Sequence, residues 1–121
     1  MAFEQWTVVV VPFPFTDRRA ERRRPALVVS PPEALGVRVG QSVLAMVTSA
    51  AHSAWPLDVP VTDLVSAGLP APSLVRMKLF TLDDRLVERQ IGALTAADAH
   101  AVAAALAHLF GGAPAGRPAR R

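Results

Sequence analysis

The sequence predicts a mainly β (α+β) domain: a small, mostly antiparallel barrel or curled sheet with one helix packed at its C-terminal end. Two observations carry that expectation. Short apolar runs broken by Pro, Gly and polar turns fill the chain as far as Leu94. The one clear helical stripe comes last, opened by Thr95 and stopped by Gly111-Gly112.

The elements follow in order. Residues 1–6 form a lead-in whose Phe3 and Trp6 are placed to cover one end of a core. Thr7–Val11 is β-branched without polar alternation, the pattern of a strand buried on both faces. Pro12 and Pro14 then remove two donors on one side of that strand, so that side is an edge or the start of its exit; Phe13 and Phe15 point the other way. Residues 16–24 make a loop, and Pro25–Ser30 a second strand stopped by Pro31-Pro32. After a turn-rich connection over 33–40 comes a third strand, Ser42–Ser49, with Thr48 and Ser49 at its polar end.

Leu57, Val59 and Val61 alternate with polar or proline positions, as in a short strand near an edge, and residues 62–72 hold one helical turn and a Pro/Gly loop. In Ser73–Leu82, Val75, Met77, Leu79 and Thr81 share one face and belong in the core. Leu74, Arg76, Lys78 and Phe80 share the other, which is expected to be the polar face. Asp83–Arg89 is a turn and Gln90–Leu94 a closing strand. Thr95 is a helix cap with Asp98 in the first turn, and the helix carries Ala99, Val102, Ala103, Leu106 and Leu109 or Phe110 on its apolar stripe.

At 121 residues the chain fits one domain, residues 1–112, able to bury a core without metal or disulfide help. The stretch 113–121, APAGRPARR, is expected to be a disordered basic tail. With no cysteine there is no disulfide framework, thiol nucleophile or thiolate metal site. The N-terminus lacks a secretory layout, and no apolar run approaches the roughly 18 residues of a membrane span, so a cytoplasmic location is expected.

Net charge is +3, but it is unevenly placed. Residues 18–24 hold five Arg and one Glu, and the tail three Arg; the rest of the chain is net negative by four. A local cationic patch is the footprint of a phosphate-binding surface. No metal constellation is present: His100 and His108 fall on the terminal helix, while His52 lies three residues past Ser49. Catalytic Ser-His-Asp order, phosphate-cradling Gly loops and dinucleotide fingerprints are also missing. Any catalytic chemistry falls to Arg, hydroxyls and Lys.

VPFPFTD…RRPALVVS, the strand end Val47-Thr48-Ser49, then Gly68-Leu69…Ser73-Leu-Val-Arg76-Met-Lys78…Thr81-Leu-Asp83 and Ile91-Gly92-Ala-Leu before a helix together resemble the PemK/MazF family of type II toxin–antitoxin toxins. The likeness spans about residues 7–110. It implies an SH3-like barrel with a C-terminal helix, a homodimer, and metal- and cofactor-independent endoribonuclease activity on single-stranded mRNA at short motifs. It also implies neutralisation by an antitoxin whose acidic, disordered tail fills the RNA groove.

Matched position by position, the family's catalytic Arg before Pro falls on Arg24, its strand-end Thr on Thr48 and a later-strand Arg on Arg76. Arg18, Arg19, Arg22, Arg23, Ser49, Ser73 and Lys78 are the expected RNA contacts. Two departures stand out. Lys78 replaces an Asp that some members carry, and the first loop offers Arg where some members use His. Arg24 and Arg76 are suited to clamping a phosphate and stabilising its developing charge, and Thr48 to bonding a phosphate oxygen or the 2′-OH. Arginine stays protonated and makes a poor base. Two other readings stay open: a non-enzymatic toxin that binds a protein such as gyrase, as the related CcdB proteins do, and an RNA-binding module without cleavage.

Overall fold

The structure, a computed structural model, describes residues 2–12 and 23–112. Phe13, Pro14, Phe15, Arg18, Arg19, Arg22 and the tail 113–121 lie outside the described residues. Among the described residues six strands form one sheet: β1 (Thr7–Pro12), β2 (Arg23–Val28), β3 (Gln41–Ser49), β4 (Val59–Pro60), β5 (Ser73–Asp83) and β6 (Arg89–Ala93). Their spatial order is β4-β5-β3-β2-β1-β6, with every neighbouring pair antiparallel. Between β2 and β3 the chain makes a π-turn, Pro32–Gly36, and one short helical turn, α1 (Val37–Val39). α2 (Leu64–Ala67) follows β4, and α3 (Ala96–Leu109) ends the described chain.

Both faces of the sheet are apolar, as the unalternating β1 predicts. Val8, Leu27, Ala45, Val47, Val75 and Met77 pack on one side with Val102 and Ala105 of α3. Val9, Val11, Ala26, Val28, Leu44, Phe80 and Leu82 form a second cluster on the other side, covered by Phe3. Trp6 joins the first cluster, so the lead-in serves both. Two expectations for β5 are corrected here. Thr81 is exposed, and the face expected to be polar is a second core at Phe80 and Leu82. β5 also bulges: Ala45 pairs with Leu79 but Met46 pairs with Arg76, which adds two residues and keeps the face assignment.

The curl is closed by α2. Although β4 and β6 are opposite edges, α2 follows β4 by a few residues and lies directly on β6. A Cβ on Gly92 would stand 2.4 Å from the carbonyl carbon of Ala67, and one on Gly68 would stand 1.9 Å from Ile91 O. Gly68 also has a φ of +73°, a conformation that side chains disfavour. Ser66 Oγ donates to Ala93 O at 3.1 Å, adding a hydrogen bond to the contact.

α3 is capped as expected, with Thr95 Oγ1 accepting from Asp98 N–H. Asp98 does more than sit in the first turn. Its buried carboxylate accepts from Thr62 N–H and Oγ1 and from Asp63 N–H, tying the helix to the chain just after β4. Ala99, Val102 and Leu106 of the expected stripe lie against the core and Ala105 joins them, whereas Ala103, Leu109 and Phe110 are exposed. The Asp98 tie fixes which side of the first turn faces inward, and the remaining turns follow.

Prolines mark where strands lose partners. Glu88 N–H bonds Val10 O, and β1 pairs with β6 no further than Val10. Pro12, two residues on, turns its missing N–H to that same side, as an exit from the pairing requires. Replacing Gly92 by Ala is expected to cost about 2–3 kcal/mol, on the scale of overpacking a tight contact. A lowered midpoint in chemical denaturation checks it.

Candidate active site

The first residues of β2 and the last of β3 diverge, and the cause is local. Val29 N–H bonds Val43 O at 2.9 Å, so Leu27 and Pro25, at two-residue spacing, also direct their backbone groups toward β3. Pro25 has no N–H to give, and the β2–β3 ladder ends at Ala26–Met46. Beyond that pair the strands frame an open pocket of about 200 Å³. Arg24, Thr48, Ser49, His52 and Ser73 line it, beside apolar edges from Val47 and Leu69.

Each polar group is held by its neighbours. Thr48 is only 3% exposed, and its Oγ1 lies 2.7 Å from His52 Nδ1. His52 N–H bonds Ser49 O, and Ser49 Oγ accepts from Ala51 N–H, so the chain doubles back after β3 and folds the imidazole over Thr48. Ala50 N–H bonds Pro72 O, which brings in the segment that carries Ser73. Ser73 Oγ donates to Ala71 O. Arg24 comes from the divergent end of β2, paired with Val11 across the sheet. Arg23, next to it, makes an ion pair with Glu88 at 3.1 Å on the surface.

The pocket thus gathers Arg24, Thr48, Ser49 and Ser73 from remote parts of the sequence. Arg76 is not among its lining residues. It is 6% exposed, and its Nε and Nη2 grip both oxygens of Asp58 at 3.1 and 2.9 Å. Nη2 also donates to Ser53 O at 2.7 Å. The Trp55 ring covers the guanidinium at 4.9 Å, with Lys78 Nζ 5.8 Å from the same ring. Trp55 N–H in turn donates to Asp58. Arg76 is therefore the centre of a clamp on residues 53–58, the loop that begins one residue after His52.

The Arg76 hydrogen bonds hold the Asp58 carboxyl below the ordinary value of 3.8, against the opposing effect of burial. Reading the sequence alone missed Asp58, Trp55 and the placing of His52. Asp58 looks there like the polar position of a half-buried strand, and nothing in a single sequence pairs it with Arg76. Among the described residues, no group of three or more His, Asp or Glu side chains is arranged to hold a metal ion. Nor is any described helix long and apolar enough to cross a membrane.

A curled antiparallel sheet with a terminal helix packed on one face, and with a cation and hydroxyls round an open pocket, defines a small half-barrel protein. Residues 4–110 match the family of PemK-like, MazF-like toxins of type II toxin–antitoxin systems, and the chain belongs to that family. It is similar to the MazE–MazF crystal structure from Deinococcus radiodurans, at 26% identity and a TM-score of 0.73, covering 93% of this chain and 100% of that one. The Mycobacterium tuberculosis toxin MazF-mt6 is 25% identical with a TM-score of 0.70, over 88% of this chain and 98% of its own. An Mtb toxin reaches 31% identity with a TM-score of 0.60, over 72% of this chain and 92% of its own. Comparison with curated proteins finds no match.

Arg76→Ala is expected to destabilise the fold by about 3 kcal/mol, because it strands a buried carboxylate. The folded-state value of Asp58 is depressed, so its contribution is present above the ordinary carboxylate range and lost as pH falls through the lowered value. Thermal melts in steps below pH 4 check this: wild type should lose stability there more steeply than Asp58→Asn.

Proposed function

We propose that the chain is the toxin of a type II pair and acts as an endoribonuclease, cutting single-stranded mRNA at short motifs. The observation that carries this is the meeting of Arg24 and Thr48 at one pocket, opened by the end of the β2–β3 ladder. A phosphate is bound there by the Arg24 guanidinium and by the Thr48 and Ser49 hydroxyls, each with one O–H to donate.

The reaction begins with attack of the RNA 2′-oxygen on the adjacent phosphorus. The phosphorus–5′-oxygen bond breaks, leaving a 2′,3′-cyclic phosphate and a 5′-hydroxyl. Charge builds on the non-bridging oxygens in the transition state, and Arg24 stabilises it there more than in the ground state. Thr48 and Ser49 hold the phosphate in line with the attack, and Ser73 borders the same space. Arg18, Arg19, Arg22 and Arg23 supply attraction for the flanking phosphates, which makes binding fall as salt rises. Lys78, close to Trp55 on the sheet, extends the cationic surface.

In this reading Arg76 acts through the loop it clamps and leaves direct work on the phosphate to Arg24. The antitoxin partner is an acidic, disordered segment that competes for the same pocket, and the active form is a homodimer. The Deinococcus radiodurans match is a MazE–MazF structure, which supports an antitoxin partner for this chain too. The reading needs no cofactor and places the protein in the cytoplasm, where mRNA is.

Arg24→Ala is expected to lower the rate of RNA cleavage about 10²–10³-fold, the effect of losing one preorganised charge-stabilising donor. The thermal midpoint should move little. The assay is purified protein with a mixed-sequence single-stranded RNA at low salt. Intact RNA with wild type would refute the nuclease reading; salt-sensitive binding without products would point to a module that binds RNA only. Loss of stability matching the loss of rate would make Arg24 structural.

A further inference from the structure

We propose that His52 is the general base of this pocket, taking the 2′-hydroxyl proton through Nε2; the inference rests on the nuclease reading above. Its grounds are the chemistry of the lining and the geometry of the imidazole. Among the described residues that line the pocket, Arg24 is the only other ionisable one. Guanidinium stays protonated at any working pH, and the hydroxyls of Thr48, Ser49 and Ser73 are far too weak as acids or bases to exchange protons there. Imidazole is the side chain that changes protonation state in the physiological range.

The bond to Thr48 sets the direction of transfer. Thr48 is nearly fully buried, with Oγ1 2.7 Å from His52 Nδ1. When the Thr48 hydroxyl proton is donated to a phosphate oxygen, its lone pair accepts Nδ1–H. That fixes the neutral tautomer with a lone pair on Nε2. Thr48 then joins the two halves of the chemistry: it binds the phosphate and selects the basic form of the ring. His52 itself is exposed, and with Nδ1 engaged on Thr48, Nε2 is the ring nitrogen left for an incoming nucleotide.

The 2′-oxygen–phosphorus bond forms as the phosphorus–5′-oxygen bond breaks; Nε2 takes the 2′-hydroxyl proton, and the departing 5′-oxygen takes one from water. The imidazolium then returns its proton to solvent. Arg76 is a positioning residue for this base. It holds Ser53 O and Asp58, and so fixes the loop next to His52. Of the described charged groups, Arg24 lines the same pocket from β2 and the Arg76–Asp58 pair holds the loop that follows His52; β3 and the segment before β5 bring only hydroxyls and apolar groups to the pocket.

The test uses full-length wild type, His52→Ala and His52→Gln on a fixed single-stranded RNA, with rates measured across pH. Wild type should show an acid limb, losing activity as imidazole protonates. Both variants should fall about 10²-fold or more and lose that limb. Gln keeps a hydrogen-bonding group beside Thr48 but cannot accept the proton, so it should be as impaired as Ala. Free imidazole should restore part of the His52→Ala rate. A cleaving wild type with His52→Gln at the same rate and pH profile overturns the proposal and leaves the nuclease reading standing. A wild type that cleaves nothing overturns both.

Discussion

Everything at the candidate site depends on a hydrogen bond that cannot form. Pro25 faces β3 without an N–H, and the β2–β3 ladder stops one residue before it. Had the ladder continued in register, Arg24 would lie opposite Thr48 in a closed sheet, and neither would border open space. The missing donor turns the end of two central strands into the walls of a pocket, while the rest of the sheet keeps them rigid. Residues on a rigid sheet are held more precisely than residues on a loop, which suits the proposed alignment of a phosphate with its nucleophile.

A second constraint acts from the loop side. The span between β3 and β4 has few apolar anchors of its own, and Trp55 and Leu57 are exposed. Its order comes from polar contacts on Arg76: a two-point grip on Asp58, a bond to Ser53 O and the ring of Trp55. A buried ion pair stabilises less than its geometry suggests, because two charges leave water to make it. What it gives is a defined arrangement of residues 53–58, the loop that follows His52. The β5 bulge that adds Met77 and Lys78 lies at Arg76 itself, consistent with bulges found beside functional sites.

The fold was legible in the sequence because its signals are local. β-branched runs, prolines at strand exits and the Thr95 cap each act within a few residues, and each element they predict is present. What failed was the assignment of faces where burial depends on a distant partner. Phe80 and Leu82 are core because Val9, Val28 and Leu44 cover that side, and the inward side of α3 is set by Asp98 reaching Thr62. The site divides along the same line. Arg24, before Pro25, and Thr48, at its strand end, are singled out through the family resemblance. Arg76 could be found but its partner could not: an Asp eighteen positions away carries no mark in one sequence.

The central claim is that RNA lies in the space between the parted ends of β2 and β3. It is tested most directly by NMR of the full chain with a short single-stranded RNA made uncleavable by 2′-O-methylation. The account predicts that the largest shift changes fall on Arg24, Thr48, Ser49 and the His52 ring, weakening as salt is raised. Changes confined to the exposed end of α3, at Leu109 and Phe110, with the pocket signals unmoved, would contradict it.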